Sequence, residues 1–291
     1  QILLAKRMGK SHLICESGAG QHYSATAAVA AKFNMPLVGV MGDIDVARVN
    51  QNIIKAKHYG AKLKTVPGTL KEAITDAIKT WTTNPEYAYI CGSVVSSSPF
   101  PKIVAFAQSI IGREIREQSM SQEGKIPDMI CGCVGGGSNF AGAIYEFLDE
   151  PSVTKIGVEA HETAALTNGT PGIMQGMKTY MLQTDDGAKS LGGMSLGAGI
   201  TYFSVGPLHS YLKDQGAVKY SSATDKEMLE AYKIIAQTEG ICSALEPMAA
   251  AAEIIFRQAK DKPKDYIICL SLCGRGEKDL DTIQEHIGKD F

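Results

Sequence analysis

The chain reads as an α/β protein built on a doubly wound, largely parallel sheet, or on two of them. Three observations carry that reading. Short apolar runs alternate with helical patterns along most of the length, as in successive βαβ units. Four glycine-rich or polar turns (16–22, 92–98, 135–139 and 273–279) each follow such a run, where open α/β sheets bind their ligands. The 291 residues, 44% hydrophobic and 21% charged, suffice for large cores of ordinary globular composition.

Residues 1–8 read as the end of a helix stopped by Gly9, and His12 to Glu16 as a short strand. Ala25 to Phe33 is an alanine-rich helix ending near Asn34 and Pro36. Leu37 to Met41 is a buried strand, Asp45 to Tyr59 a helix ended by Gly60, and Ala61 to Val66 a further strand. Thr69 to Trp81 is helical and opens on a capping box, with Glu72 three residues after Thr69. Tyr87 to Cys91 is a strand, and one long helix runs from Pro101 to about Ser121. Met129 to Val134 is a strand, Phe140 to Leu148 a helix and Lys155 to Ala160 a strand. Thr163 to Thr201 has no clear period and reads as a functional loop. Thr224 and Asp225 cap a helix to Thr238, and Glu246 to Lys260 forms another. Tyr266 to Leu272 is a strand, and a last helix follows the turn at 273–279.

The stretch Val134-Gly135-Gly136-Gly137-Ser138-Asn139 organises the chain. Three consecutive glycines let backbone amides approach a ligand without a Cβ in the way. Ser138 and Asn139 stand where the next helix begins, with unpaired N–H groups and the positive end of the dipole. That is the physics of a phosphate cradle. It matches neither the dinucleotide-binding G-x-G-x-x-G nor the P-loop pattern, so a small phosphate is expected and a nucleotide is not.

Glu16 ends an apolar strand and reads either as a helix-capping acid or as a general acid/base in a dry crevice. Ser17, Gly18, Ala19, Gly20, Gln21 and His22 offer successive amides, a hydroxyl and a side-chain amide to a small carboxylate. Glu246 is a lone acid among apolar residues, which is rare without a reason. Arg275 and Lys278 read as a solvated turn paired with Glu277 and Asp279.

A net charge of −2 without a basic stripe argues against a nucleic-acid partner. No apolar run reaches the length of a membrane span, and residues 1–7 do not read as a signal peptide. The seven cysteines are scattered and mostly within apolar runs, without C-x-x-C, as expected of buried reduced thiols in a cytoplasmic protein. The six histidines are dispersed, so no zinc site is expected. Gln1 opens in mid-helix pattern without methionine or cap, which reads as a chain with a segment before it.

Six strings fall in order across essentially the whole chain: LLAKRMGK (3–10), ESGAGQH (16–22), VGGGSN (134–139), SVGP (204–207), ALE (244–246) and GRGEKD (274–279). Together they resemble the tryptophan synthase β chain family, which condenses L-serine with indole to give L-tryptophan and water. The resemblance implies a fold type II enzyme dependent on pyridoxal 5'-phosphate (PLP). It implies two doubly wound, three-layer αβα domains, the N-terminal one incomplete. Residues 1–107 would be that partial domain, with a mobile closure segment at about 10–95, and residues 108–291 the PLP-phosphate-binding domain.

By the same resemblance, Gly135, Gly136, Gly137, Ser138 and Asn139 bind the cofactor phosphate. Glu246 lies beside the pyridine ring, and Gly92 and Ser93 along its rim. Glu16 is the catalytic acid/base, and Ser17 to His22 hold the substrate carboxylate. Backbone carbonyls of Gly135, Tyr202 and Ser204 line a monovalent-cation site, for Na or K. A cytoplasmic homodimer is implied, with a tryptophan synthase α chain near the helix after Pro101.

Three departures from the family bear on activity. The family's Schiff-base lysine sits in a His-Lys motif shortly before the point matching Gln1, so the chain as written is expected to lack that nucleophile. Cys273 stands where the family has a serine that hydrogen-bonds the pyridine nitrogen, and a thiol is a weaker donor. Thr201 stands where the family has an aspartate, and the serine run 96–98 also differs from the family's turn. These departures keep two alternatives open, a serine/threonine deaminase-like relative and a catalytically incomplete binding or scaffold remnant.

Overall fold

The computed structural model describes residues 1–187 and 189–287. The chain divides into two compact units, Gln1–Gly92 and Ser93–Phe291. The expected boundary after residue 107 lies downstream of this division.

The first unit runs α1 (Ile2–Arg7), β1 (His12–Glu16), α2 (Gln21–Lys32), β2 (Leu37–Gly42), α3 (Asp43–Val46), α4 (Asn50–His58), β3 (Lys62–Val66), α5 (Leu70–Thr83) and β4 (Tyr87–Tyr89). Its four strands are parallel, in the order β3-β2-β1-β4. β1 is central, with Leu13, Ile14 and Cys15 fully buried. β3 closes one edge with exposed lysines 62 and 64, a common protection of an unpaired edge. The capping box of Thr69 and Glu72 starts α5 as its spacing predicts.

Two helices of this unit depart from expectation. α2 begins at Gln21 rather than Ala25, because Gly20 takes the left-handed conformation that turns the chain into the helix. The single helix expected over 45–59 is two. Val49 is buried in a non-helical conformation between α3 and α4, and Asp43 Oδ1 accepts the Ile44 and Gly68 amides.

The second unit contains α6 (Phe100–Gln108), α7 (Ile110–Glu123), β5 (Met129–Cys133), α8 (Ser138–Ile144), β6 (Thr154–Ala160), α9 (Ala165–Asn168), β7 (Thr170–Met174) and β8 (Met177–Met181). It continues with α10 (Pro207–Asp214), β9 (Lys219–Ala223), α11 (Asp225–Glu239), α12 (Met248–Glu253), β10 (Ile268–Leu270) and α13 (Leu280–Ile287). The parallel sheet has the order β10-β5-β6-β9. Alternation along β5 sorts its side chains between two cores. Met129, Cys131 and Cys133 face a cluster with Met248 to Ala252 of α12, whereas Ile130 packs with Phe140 and Ile144 of α8. The sheet is therefore wound on both faces.

In each unit the chain steps outward over two strands and then returns to the other side of the first. The switch point lies between β1 and β4 in one unit and between β5 and β10 in the other. Connections leave these neighbouring strands in opposite directions, which opens a crevice at their carboxyl ends. All four turns singled out in the sequence follow these four strands.

Several expectations for the second unit are corrected. The long helix after Pro101 breaks at Ser109, whose amide and hydroxyl both bond the Phe106 carbonyl. The stretch 163–201 is not all loop: β7 and β8 form an antiparallel hairpin. Gln175 and Gly176, at φ 46 and 78, make its tight turn. α10 and β9 carry no strong periodicity and are found only in the structure. The helix expected to run on to Leu148 starts at Ser138 and tightens to a 3₁₀ turn at Tyr145–Phe147. The helix expected over 246–260 is α12 followed by a π-helical turn at Ile254–Gln258, and the last strand shortens to Ile268–Leu270.

Candidate cofactor and active site

The second unit's switch point is built from its glycine cradle. Val134 still donates to Val158 at 2.7 Å, and the chain then leaves the sheet through Gly135 and Gly136. A Cβ on Gly136 would lie 2.2 Å from Ser93 Oγ, and one on Gly135 2.6 Å from the Gly199 carbonyl oxygen. Only bare backbone fits. Gly137, at φ 75, turns into α8, whose N-terminus carries no side-chain cap. Its leading amides are therefore donors for an anion.

The Gly137 carbonyl is held from behind. His209 Nε2 lies 2.8 Å from it, and His209 Nδ1 lies 2.8 Å from the Tyr220 hydroxyl. A carbonyl only accepts, so Nε2 carries the proton and Nδ1 accepts from tyrosine. Burial pushes the imidazole pKa down to about 4, so the ring is neutral. Asn139 Oδ1 accepts a 2.7 Å bond from the Ser271 hydroxyl at the end of β10, and Ser93 Oγ donates to Gly136 at 3.3 Å.

Beside this cradle lies a buried charge cluster. Lys278 Nζ is 2.8 and 2.9 Å from the two Glu246 oxygens and 2.7 Å from both Asp279 oxygens. The expected solvated turn at 275–279 is thus corrected for Lys278, whose side chain is only 4% exposed. Burial opposes its charge, but Glu246 and Asp279 outweigh that and hold the ammonium above its usual range. Burial, then Glu246, raises Asp279. Glu246 Oε1 also accepts the Gly199 amide at 2.7 Å, and Asp279 Oδ2 the Leu245 amide at 2.9 Å. The cluster ties three loops together.

Cys273 sits in the same turn, its Sγ 3.5 Å from Cys133 Sγ. All seven cysteines are free thiols. Cys242 is exposed and Cys269 and Cys273 part-exposed, which corrects the expectation of general burial.

At the first unit's switch point, Glu16 ends β1 and accepts a 2.9 Å bond from the Tyr89 hydroxyl on β4. Its second oxygen has no hydrogen-bond partner among the described residues. Burial raises its pKa to about 7, the Tyr89 bond offsetting only part of the effect. A carboxyl poised there gives and takes protons near neutrality.

The Ser17 amide bonds the Val40 carbonyl, so the amides of the Gly18–His22 turn, at the uncapped start of α2, are the ones left to meet a carboxylate. Asn52 anchors that turn through the Ala19 carbonyl at 2.8 Å. The His22 ring is engaged with the Ile90 carbonyl and the Thr26 hydroxyl, and a Cβ on Gly92 would strike it at 2.3 Å.

Of the expected cation-site residues, Ser204 bonds Thr179 through its hydroxyl at 3.2 Å, and the Tyr202 hydroxyl reaches Gln175 at 3.5 Å. Gly135 instead has the Gly199 carbonyl beside it. The Thr201 hydroxyl stays within its own loop, 3.1 Å from the Gly197 carbonyl and 3.3 Å from the Ser195 carbonyl.

Sequence reasoning missed Tyr89, His209, Tyr220 and the inward course of Lys278. A signal for His209 lay two residues past the SVGP string, in the first turn of a proline-started helix.

The family model described as pyridoxal-phosphate dependent enzyme matches residues 1–274. The chain is 46% identical over 304 residues to the tryptophan synthase β chain of Dinoroseobacter shibae, covering 100% of this chain and 74% of that protein. It is likewise 46% identical over 304 residues to the tryptophan synthase β chain of Ruegeria pomeroyi, covering 100% of this chain and 73% of that protein. In fold it is similar to a crystal structure of an O-ureido-L-serine synthase mutant with O-ureido-L-serine bound. That match has a TM-score of 0.72 at 18% identity and covers 100% of this chain and 81% of that one. On these matches the chain belongs to the pyridoxal-phosphate-dependent enzymes, in the tryptophan synthase β chain family.

Proposed function

We propose that the protein is a PLP-dependent lyase that replaces the hydroxyl of L-serine with indole, yielding L-tryptophan and water. The observation that carries this reading is the Gly135–Asn139 cradle, whose three glycines leave no room for a Cβ and which is set on the strand beside the Glu246 and Cys273 turns. A phosphate monoester on a pyridine ring suits that donor set. The cradle offers backbone amides to the phosphate, and the neighbouring strand's turn offers a thiol to a ring nitrogen. When bound, PLP supplies an electron sink for the carbanion at the serine Cα.

The chain's own residues do the rest. Gly135, Gly136, Gly137, Ser138 and Asn139 hold the phosphate, with Gly92 and Ser93 along the ring's rim. Glu246, clamped by Lys278, stands beside the ring, and the Cys273 thiol meets its nitrogen. The turn Ser17–His22 orients the substrate carboxylate. Glu16 gives the proton with which the serine hydroxyl leaves as water and takes one from the indole nitrogen as carbon–carbon bond formation proceeds. Its pKa of about 7 suits both directions of transfer. Carbonyls of Gly135, Tyr202 and Ser204 are the proposed lining of a monovalent-cation site. A cytoplasmic homodimer with an α-chain partner completes the proposal.

The test is tryptophan formation from serine and indole by the purified natural polypeptide loaded with PLP. Absence of tryptophan with PLP stoichiometrically bound overturns the reading. The Thr201 hydroxyl, held in its own loop where the family has an aspartate, favours a second outcome. Pyruvate released from serine in excess of tryptophan would make the protein a deaminase.

A further inference from the structure

We propose that Cys133 and Cys273 form a redox-active dithiol, a covalent modification site whose closure to a disulfide disables the adjoining cofactor turn. The two sulfurs lie 3.5 Å apart. β5 and β10 are neighbouring parallel strands, and their last shared bond joins the Ser271 amide to the Cys131 carbonyl. Each cysteine stands two residues beyond that bond. The 3.5 Å between the sulfurs is about 1.5 Å more than a disulfide's S–S bond length. Cys131, on the same face two residues earlier, instead turns its thiol toward the Ala250 carbonyl at 3.7 Å.

The two thiols are unequal. Cys133 is buried and Cys273 part-exposed. The hydrogen bond from Cys133 lowers the Cys273 pKa, while the same bond and burial raise that of Cys133. Cys273 is therefore the attacking sulfur and Cys133 the resolving one. The oxidant is a low-molecular-weight disulfide. The Cys273 thiolate attacks one of its sulfurs, a sulfur–sulfur bond forms, and one thiolate leaves. Cys133 then loses its proton to solvent and attacks Cys273 Sγ, and the second thiolate leaves. Two protein thiols are oxidised and one external disulfide is reduced to two thiols.

The consequence for the cofactor rests on the function proposed above, in which Cys273 donates to the ring nitrogen. A disulfide has no S–H, so that bond is lost on oxidation. Losing one such hydrogen bond weakens PLP binding by roughly tenfold.

The test equilibrates the full natural polypeptide with mixtures of oxidised and reduced glutathione and reads intact mass and alkylated peptide maps. A mass lower by two hydrogens, a Cys133–Cys273 cross-linked peptide and reversal by excess reduced glutathione are expected. Cys133→Ala removes the resolving sulfur, so the variant should carry one glutathione on Cys273 and no cross-link. Complete alkylation of both cysteines under the most oxidising mixture overturns the proposal, as does bridging of either to another cysteine. Unchanged PLP affinity of the oxidised protein overturns the cofactor half alone. None of these readouts requires tryptophan formation, so a failure of the proposed function is seen separately.

Discussion

The His209 ring donates to the Gly137 carbonyl at 2.8 Å, and this bond fixes the peptide that aims the phosphate cradle. Gly137 is left-handed, and a side chain there would collide with the same ring at 2.2 Å. Ring and glycine thus define each other's position. His209→Gln keeps a donor at the Nε2 position, whereas His209→Asn does not reach. PLP affinity should fall by about tenfold in His209→Asn, the worth of one buried hydrogen bond, and by much less in His209→Gln. Titration of apoenzyme with PLP, and with pyridoxal lacking the phosphate, checks this. Pyridoxal affinity should be the same in both variants.

The same ring sets an acid limit on stability. Burial lowers the His209 pKa from 6.5 to about 4, so the unfolded chain binds the proton more readily than the native one. Its contribution is present above pH 6.5 and is lost as pH falls through 4. Relative to His209→Gln, the parent should lose about 3 kcal/mol of stability over that interval. Denaturant unfolding at a series of pH values measures the difference, and a constant difference would refute it.

How far the sequence reached follows from the kind of information each feature uses. The GGG cradle, the Glu16 turn, the capping box at Thr69 and the helix cap at Thr224 are local, each written in a few consecutive residues. The parallel sheets were legible in the same way. The shared strand order of the two units was not, because pairing β10 beside β5 joins segments more than a hundred residues apart. Lys278 was misread for a related reason. A GEKD turn looks solvated until Glu246, from another loop, supplies the second carboxylate. The hairpin at 170–181 hid because Pro171 and Gly172 blur its alternation, although Gln175-Gly176 marked its turn.

Lys278 neutralises two buried carboxylates, and removing it strands both. Lys278→Met should cost about 3–5 kcal/mol at neutral pH, the usual penalty for an uncompensated buried charge. The deficit should shrink as the pH falls below neutrality, because Asp279, whose pKa burial raises, then takes up a proton in place of the ammonium. Melting temperatures of parent and variant across this range test the claim. A deficit independent of pH would indicate lost packing instead.

Glu16 provides the opposite pH signature from His209. Its pKa rises from 4.5 to about 7 on folding, chiefly through burial, so the native state favours the protonated form. That contribution is full below pH 4.5 and disappears as pH rises through 7. Relative to Glu16→Gln, which does not titrate, the parent should lose about 3 kcal/mol between those values. The amide keeps an oxygen for the Tyr89 hydroxyl, so the strand end is preserved. Proton transfer is not preserved. Tryptophan formation should fall by roughly a hundred- to ten-thousandfold, the usual worth of a positioned general acid/base, with PLP content unchanged. Steady-state assays beside PLP absorbance separate the two effects. Lost PLP binding in Glu16→Gln would reassign the residue to structure, and a pH-independent stability difference would mean that its carboxyl is not the group that titrates.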